Sequence, residues 1–200
     1  MEKYRKFSTF GLKWVVLLGL ALAWVHASPS VARETYVQFA TRILENPPEG
    51  VAIRDDLEAV VLRATNAYRA TQKLPPFKPA SARLQKAARA HAMDLLLQNT
   101  MGHVASTGQD FASRIRAFHE GQLFLAPMAE NAARLRKSTL PDAKKAQALV
   151  QQWVTSSGHR RNMVNRTYVA VAIGVVAQGD TVYAVQIFSG PTVKTNLGGN

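Results

Sequence analysis

The stretch W-V-T-S-S-G-H-R-R-N, Trp153 to Asn162, stands between an amphipathic helical pattern and two strand-like runs. Gly158 bends the chain just before His159, and Arg160, Arg161 and Asn162 follow. A His presented on a Gly turn beside strong donors is a candidate ligand or acid–base group. The same residues also fit a Gly helix stop followed by a solvated basic turn. Upstream, Ala146, Leu149, Val150 and Trp153 form a buried stripe, with Lys144 and Lys145 outside, so a helix is expected over 141–155 with Pro141 in its first turn. Downstream, the β-branched run from Tyr168 to Ala177, the turn Gln178-Gly179-Asp180 and the alternating run from Thr181 to Phe188 predict a hairpin.

Three further helices lie outward from this stretch. Leu57, Val60, Val61, Ala64 and Tyr68 recur at helical spacing over 55–72, with Asp55 and Asp56 at the positive end. Ser81 is a candidate N-cap for a helix to Gln98, with Leu84, Ala87, Ala88, His91 and Leu95 on one face. His91 therefore points inward and is read as a hydrogen-bonded structural group. A short helix over 110–118 has Phe111, Ile115 and Phe118 as its apolar positions, and His119-Glu120 is expected on the surface at its end. Leu123 to Leu125 is expected to form a short strand, and 34–44 a short helix with Tyr36, Phe39, Ala40 and Ile43 on one face. Asn46-Pro47-Pro48 breaks the latter.

Lys3, Arg5, Lys6 and Lys13 precede or open a short apolar run from Trp14 to Val25, and Val25-His26-Ala27 fits the small-residue rule for cleavage. The expected organisation is a signal peptide over 1–27, an extension over 28–54, a domain over 55–190 and a loose tail over 191–200. Export, to a periplasmic or extracellular location, follows as an expectation, with an uncleaved membrane anchor as the alternative. The 200 residues contain no Cys, which excludes disulfides and thiolate metal sites. The formal charge is +12, and losing four Lys/Arg and Glu2 with the leader would leave +9. That balance favours anionic surfaces, but no run of five basic residues occurs and no nucleic acid is expected as a partner.

Three groups stand out as a candidate constellation: His103 after Gly102, Glu130 before Asn131, and His159 after Gly158, each read as sitting in a loop beside a helix. Their wide separation is not a local metal spacing, so sequence alone does not bring them together. Two imidazoles and a carboxylate, if they met, would suit zinc.

The order of motifs resembles the CAP superfamily (cysteine-rich secretory proteins, antigen 5 and pathogenesis-related-1 proteins), and most of all its Cys-free bacterial branch of SCP-like extracellular proteins. The residues that carry the resemblance begin with Asn66, Arg69, Leu74-Pro75-Pro76, Leu84, Ala87-Ala88-Arg89 and His91-Ala92. They continue with Gly102-His103, Ser106, Gly108, Phe111, Arg114-Ile115 and Glu130-Asn131, then Trp153, Ser156, Gly158-His159-Arg160, Asn162-Met163, Asn165 and Gly174-Val175. The resemblance covers about residues 57–189. It implies an α-β-α sandwich with a small antiparallel sheet between helices. It also implies a cavity lined by two His and two acidic residues able to hold a divalent metal. His103 and His159 would be the cavity histidines and Glu130 one acid, so His103, Glu130 and His159 are the candidate metal ligands, with zinc the expected ion. Ser156 stands where eukaryotic members have the second acid, which removes one charge from the site.

The resemblance further implies a ligand cleft of His103, Ser106, Glu130, Asn131, Ser156, His159, Arg160 and Asn162. Asn162 is also readable as a side chain that satisfies nearby backbone. Three functions compete. The favoured one is an exported binding module for a lipid, peptide or anionic cell-envelope component, since no G-x-S-x-G or other nucleophile signature is present. The alternative is a metal-dependent, peptidase-like hydrolase with Glu130, His103 and His159 as catalytic candidates. The third is an envelope protein held at a membrane or wall by charge alone.

Overall fold

The structure is a computed structural model that describes residues 34–119 and 126–191. Thr35 opens the first helix, α1 (Tyr36–Glu45): its hydroxyl accepts from the Gln38 amide while the Gln38 side chain accepts from the Thr35 amide. A three-residue strand, β1 (Val51–Ile53), leads into α2 (Asp55–Thr71), whose first turn carries Asp55, Asp56 and Glu58. The following turn is stapled from inside. Asn66 bonds both the N–H and the C=O of Phe77, and buried Arg69 lies 3.7 Å over the Phe77 ring while donating to the carbonyls of Pro75 and Met163. Then come β2 (Lys78–Pro79) and α3 (Ala82–Leu97), capped by Ser81 accepting from the Leu84 amide. Asp110 caps α4 (Phe111–Phe118) in the same way through the Ser113 amide. The chain continues through β3 (Met128–Leu135), α5 (Asp142–Thr155) and α6 (Ser157–Val164), and ends on the hairpin β4 (Ala170–Gln178) and β5 (Thr181–Ser189). Gly179, at φ +56°, makes the two-residue turn between Gln178 and Thr181 possible.

The hairpin is the middle of the sheet. The strand order is β1-β4-β5-β3, with β2 also on β4 and parallel to it, while every other pairing is antiparallel. Alternation along the hairpin feeds two cores. Ala172, Val176, Tyr183, Val185 and Ile187 pack against α1, α3 and α4. Val171, Ile173, Val175, Val182, Ala184 and Phe188 pack against α2, α5 and α6. The result is the expected α+β sandwich of helix, sheet and helix layers. Gly174 sets the spacing of one layer: a Cβ there would stand 2.3 Å from the Ala88 carbonyl carbon of α3. Between β1 and β2 the outer edge of β4 lacks a strand neighbour, and side chains take its place. Gln85 bonds both the N–H and C=O of Ile173, and Glu58, paired with Arg89, accepts from the Val175 amide.

The sequence expectations hold for the helices over 55–72, 81–98, 110–118 and 141–155 and for the hairpin, within a residue or two. Three differ. Glu130 and Asn131 lie on a strand, β3, and not in a loop, because its Ala-rich sequence is extended by full-length pairing to β5. His159 lies on α6, since Gly158 falls in the first turn of a second helix instead of ending the first. His119 is buried, with Nδ1 on the Ile115 carbonyl, and not on the surface. Residues 34–53, read as an extension ahead of the domain with its packing on the domain left open, supply core residues and a strand: the expected helix over 34–44 forms as α1, with Tyr36, Phe39, Ala40 and Ile43 buried, and β1 joins the sheet. The expected signal peptide over 1–27, the strand over 123–125, Glu120 and the tail beyond Pro191 lie outside the described residues.

Candidate functional site

β3 is the outer strand on its side of the sheet, and the site is built on its middle residues. Adjacent side chains on a strand point to opposite faces. Met128 and Ala132 pack on the side of α3 and α4, and so does Glu130; Ala129 and Ala133 pack on the other side, and so does Asn131. Two neighbouring polar residues thus serve two different helix layers.

On the α3–α4 side Glu130 is 7% exposed and fully engaged. Nη2 of Arg114, from α4, lies 2.8 and 2.9 Å from its two carboxylate oxygens, and Nδ1 of His103, on the α3–α4 loop, lies 3.0 Å from Oε1. Arg114 also donates to the His103 carbonyl at 3.2 Å, which pins the loop to the pair. His91, on α3, donates Nε2 to the Gly102 carbonyl at 3.0 Å and stands 3.6 Å from Glu130. Burial pushes the Glu130 carboxyl up, but the His103 hydrogen bond and the Arg114 and His91 charges outweigh it and hold it below the usual carboxylate range. The Glu130 bond raises His103 above the usual imidazole value against its partial burial. Burial lowers His91 below the usual imidazole value.

On the other side Asn131 is fully buried. Its Nδ2 donates to the His159 carbonyl and to Gln186 Oε1, both at 3.1 Å, and Gln186 donates to Thr65 of α2. Asn162 of α6 donates to Asn131 Oδ1 at 2.9 Å and to the Glu130 carbonyl at 3.4 Å. α6 is thereby moored along the open edge of β3, and this places the partly buried His159 ring near His103. Burial and the His103 charge both lower its pKa. The two imidazoles come from opposite layers and lie within electrostatic reach of each other.

The remaining predicted residues have other partners. Ser106 turns its backbone N–H to the Asp94 carboxylate, Ser156 is the hinge residue between α5 and α6, and Arg160 donates to the Val154 carbonyl. Asn162 and Asn131 satisfy backbone and each other. Arg114 has no role in the sequence reading, although a signal exists. Phe111, Arg114, Ile115 and Phe118 follow the apolar spacing of one helix face, and an Arg in that stripe must meet a buried acid.

The zinc site that the resemblance implies does not fit these residues. Among the described residues no three His, Asp or Glu side chains stand together as a metal centre would require. The Glu130 oxygens are committed to a guanidinium, and Ser156 supplies no acid. Two imidazoles alone are an incomplete donor set for zinc.

The sequence model of the Cysteine-rich secretory protein family matches residues 62–188, so the chain belongs to the CAP family. It is 28% identical over 122 residues to the uncharacterized protein YkwD of Bacillus subtilis, covering 61% of this chain and 43% of that protein. The chain thus spans less than half the length of that relative. Two solved structures share the fold. One is an extracellular SCP-domain protein of Bacillus anthracis, at TM-score 0.54 and 20% identity over 68% of this chain and 41% of that one. The other is an outer surface protein of Borrelia burgdorferi, at TM-score 0.58 and 15% identity over 71% of this chain and 98% of that one.

Proposed function

We propose that this chain is an exported binding module that takes an anionic component of the cell envelope at the His103–His159 edge. One observation carries the reading. His103 is half-exposed and held through Nδ1 by a carboxylate that is itself locked by Arg114, so Nε2 is the ring nitrogen left for a ligand. The raised pKa of His103 makes that nitrogen a charged donor at mildly acidic pH. Formal charge of +9 beyond the expected leader draws anionic partners to it. The extracellular and outer-surface descriptions of the two fold neighbours support export.

The hydrolase reading needs Glu130 to accept a proton or hold a metal, and its oxygens are already paired. It therefore takes second place. The test is binding of the chain from Ser28 to phosphatidylglycerol vesicles and to purified wall polymer, at two salt concentrations and two pH values. Saturable binding, weaker by about tenfold, or ~1.4 kcal/mol, in His103→Ala and at basic pH, is expected. Binding that falls with salt but ignores His103→Ala would reduce the protein to a charge-held surface component. Peptide turnover abolished by Glu130→Gln would restore the hydrolase.

A further inference from the structure

Among the described residues four large apolar side chains stand exposed, and two of them bracket His103. Met101 is 36% exposed and Val104 58%, both on the loop between α3 and α4. Single exposed apolar residues are ordinary on a protein surface. This pair differs because the backbone that carries it is held at four positions. The Gly102 carbonyl accepts from His91, and the His103 carbonyl accepts from Arg114. Ala105 is buried and its N–H donates to the Gln109 carbonyl, while the Ser106 N–H donates to the Asp94 carboxylate. A loop fixed in this way keeps Met101 and Val104 in solvent, and packing does not recover the cost of their exposed apolar area.

The base of the same loop is cationic. Arg136, just beyond the end of β3, donates to the Asn99 side chain, two residues before Met101. Tyr183 of β5 also reaches Asn99, and Arg134 of β3 donates to the Tyr183 hydroxyl at 3.3 Å. Between Gln98 and Phe118 the sequence has one acid, Asp110, and its carboxylate caps α4. The acids packed beneath the loop, Asp94 and Glu130, are buried and bonded to Ser106 and to Arg114 and His103. An apolar pair beside exposed positive charge matches an anionic bilayer, whose headgroups attract Arg side chains and whose acyl boundary takes apolar ones. A polar wall polymer offers the charge without the apolar layer.

We propose that the α3–α4 loop docks on an anionic phospholipid surface, with Met101 and Val104 entering the acyl boundary and Arg136 meeting the headgroups. The inference rests on the binding reading given above and narrows its partner from an anionic envelope component to a lipid bilayer.

The test uses the chain from Ser28, which keeps every described residue and omits the apolar run of the expected leader. The probes are vesicles of phosphatidylglycerol, vesicles of phosphatidylcholine and purified wall polymer. Binding to phosphatidylglycerol is expected to fall about tenfold in the Met101→Ser, Val104→Ser double variant, with its thermal midpoint unchanged. Val104→Trp places a reporter in the contact, since Trp153, the one tryptophan after Ser28, is fully buried. Its emission should shift to the blue on phosphatidylglycerol vesicles and be quenched by bromine carried in the acyl chains. Val169→Trp is the control, because Val169 is 47% exposed but lies at the Ser189 end of β5, away from Tyr183. Its emission should stay as it is in buffer. Equal vesicle binding in the double variant overturns the inference, as do an unquenched Val104→Trp in vesicle-bound protein, equal quenching at both positions, or equal binding to the two lipids. Wall-polymer binding that depends on His103, with none to vesicles, overturns it and leaves the binding reading in place. Binding to neither removes both.

Discussion

At the residue scale the controlling fact is that Glu130 and Arg114 are buried together. Removing one member of such a pair leaves the other charge without compensation in a low-dielectric place, which typically costs about 3–5 kcal/mol. Glu130→Gln is therefore expected to lower stability by about that much in urea unfolding. The double variant Glu130→Gln with Arg114→Met should lose far less than the two single losses added together, and additive losses would show that the pair is not coupled. The pH dependence follows from the directions of the shifts. The folded-state pKa of Glu130 is lowered, so its stabilisation is present above the ordinary carboxylate range and is lost as pH falls through the lowered value. His91, also lowered, destabilises in the same acid direction. That of His103 is raised, so its stabilisation is full below about 6.5 and is lost as pH rises through the raised value. Thermal unfolding should show a maximum in mildly acidic solution, and His103→Ala should abolish the decline on the basic side. An unchanged basic limb in that variant would mean that His103 is not bonded to Glu130 in solution.

At the element scale, the close approach of α3 to β4 sets the thickness of one layer. Gly174→Ala forces a methyl to within 2.4 Å of three backbone atoms of Ala88 and Arg89, none of which can turn aside. A loss of about 3 kcal/mol is expected, the upper end for overpacking, read from the denaturant midpoint. A loss below ~1 kcal/mol would mean that the layers slide freely. The elements differ in how visible they were in the sequence. α2, α3, α4 and α5 carry long apolar periods and caps such as Ser81 and Asp110, and the hairpin carries β-branched alternation around Gly179. β3 reads M-A-E-N-A-A-R-L, with no β-branched or aromatic residue, and only its partner β5 makes it a strand. α6 begins with Ser157 and Gly158, which signal a stop in isolation. It persists because Asn131 and Asn162 hold it to β3 and Arg69 takes up the Met163 carbonyl near its end.

At the scale of the whole molecule, the site residues His103, Glu130 and His159 were legible as types, and their order matched a family. Their division between layers was not legible, because strand alternation at Glu130 and Asn131 matters only once β3 is known to be a strand. Nor was Arg114, whose role depends on an acid that is remote in sequence. The sheet also has a temporal consequence. β1, β2 and β3 each pair with β4 or β5, and those two strands come last. Among the described residues no upstream strand has a partner other than β4 or β5, so a chain still being made has loose helices and no template. A chain stopped just before Ala170 should show helical circular dichroism well below its share of residues and no cooperative melting. If it melts cooperatively, the helices carry the fold without the sheet. Folding that waits for β4 and β5 keeps the polypeptide slack during synthesis until both strands have emerged.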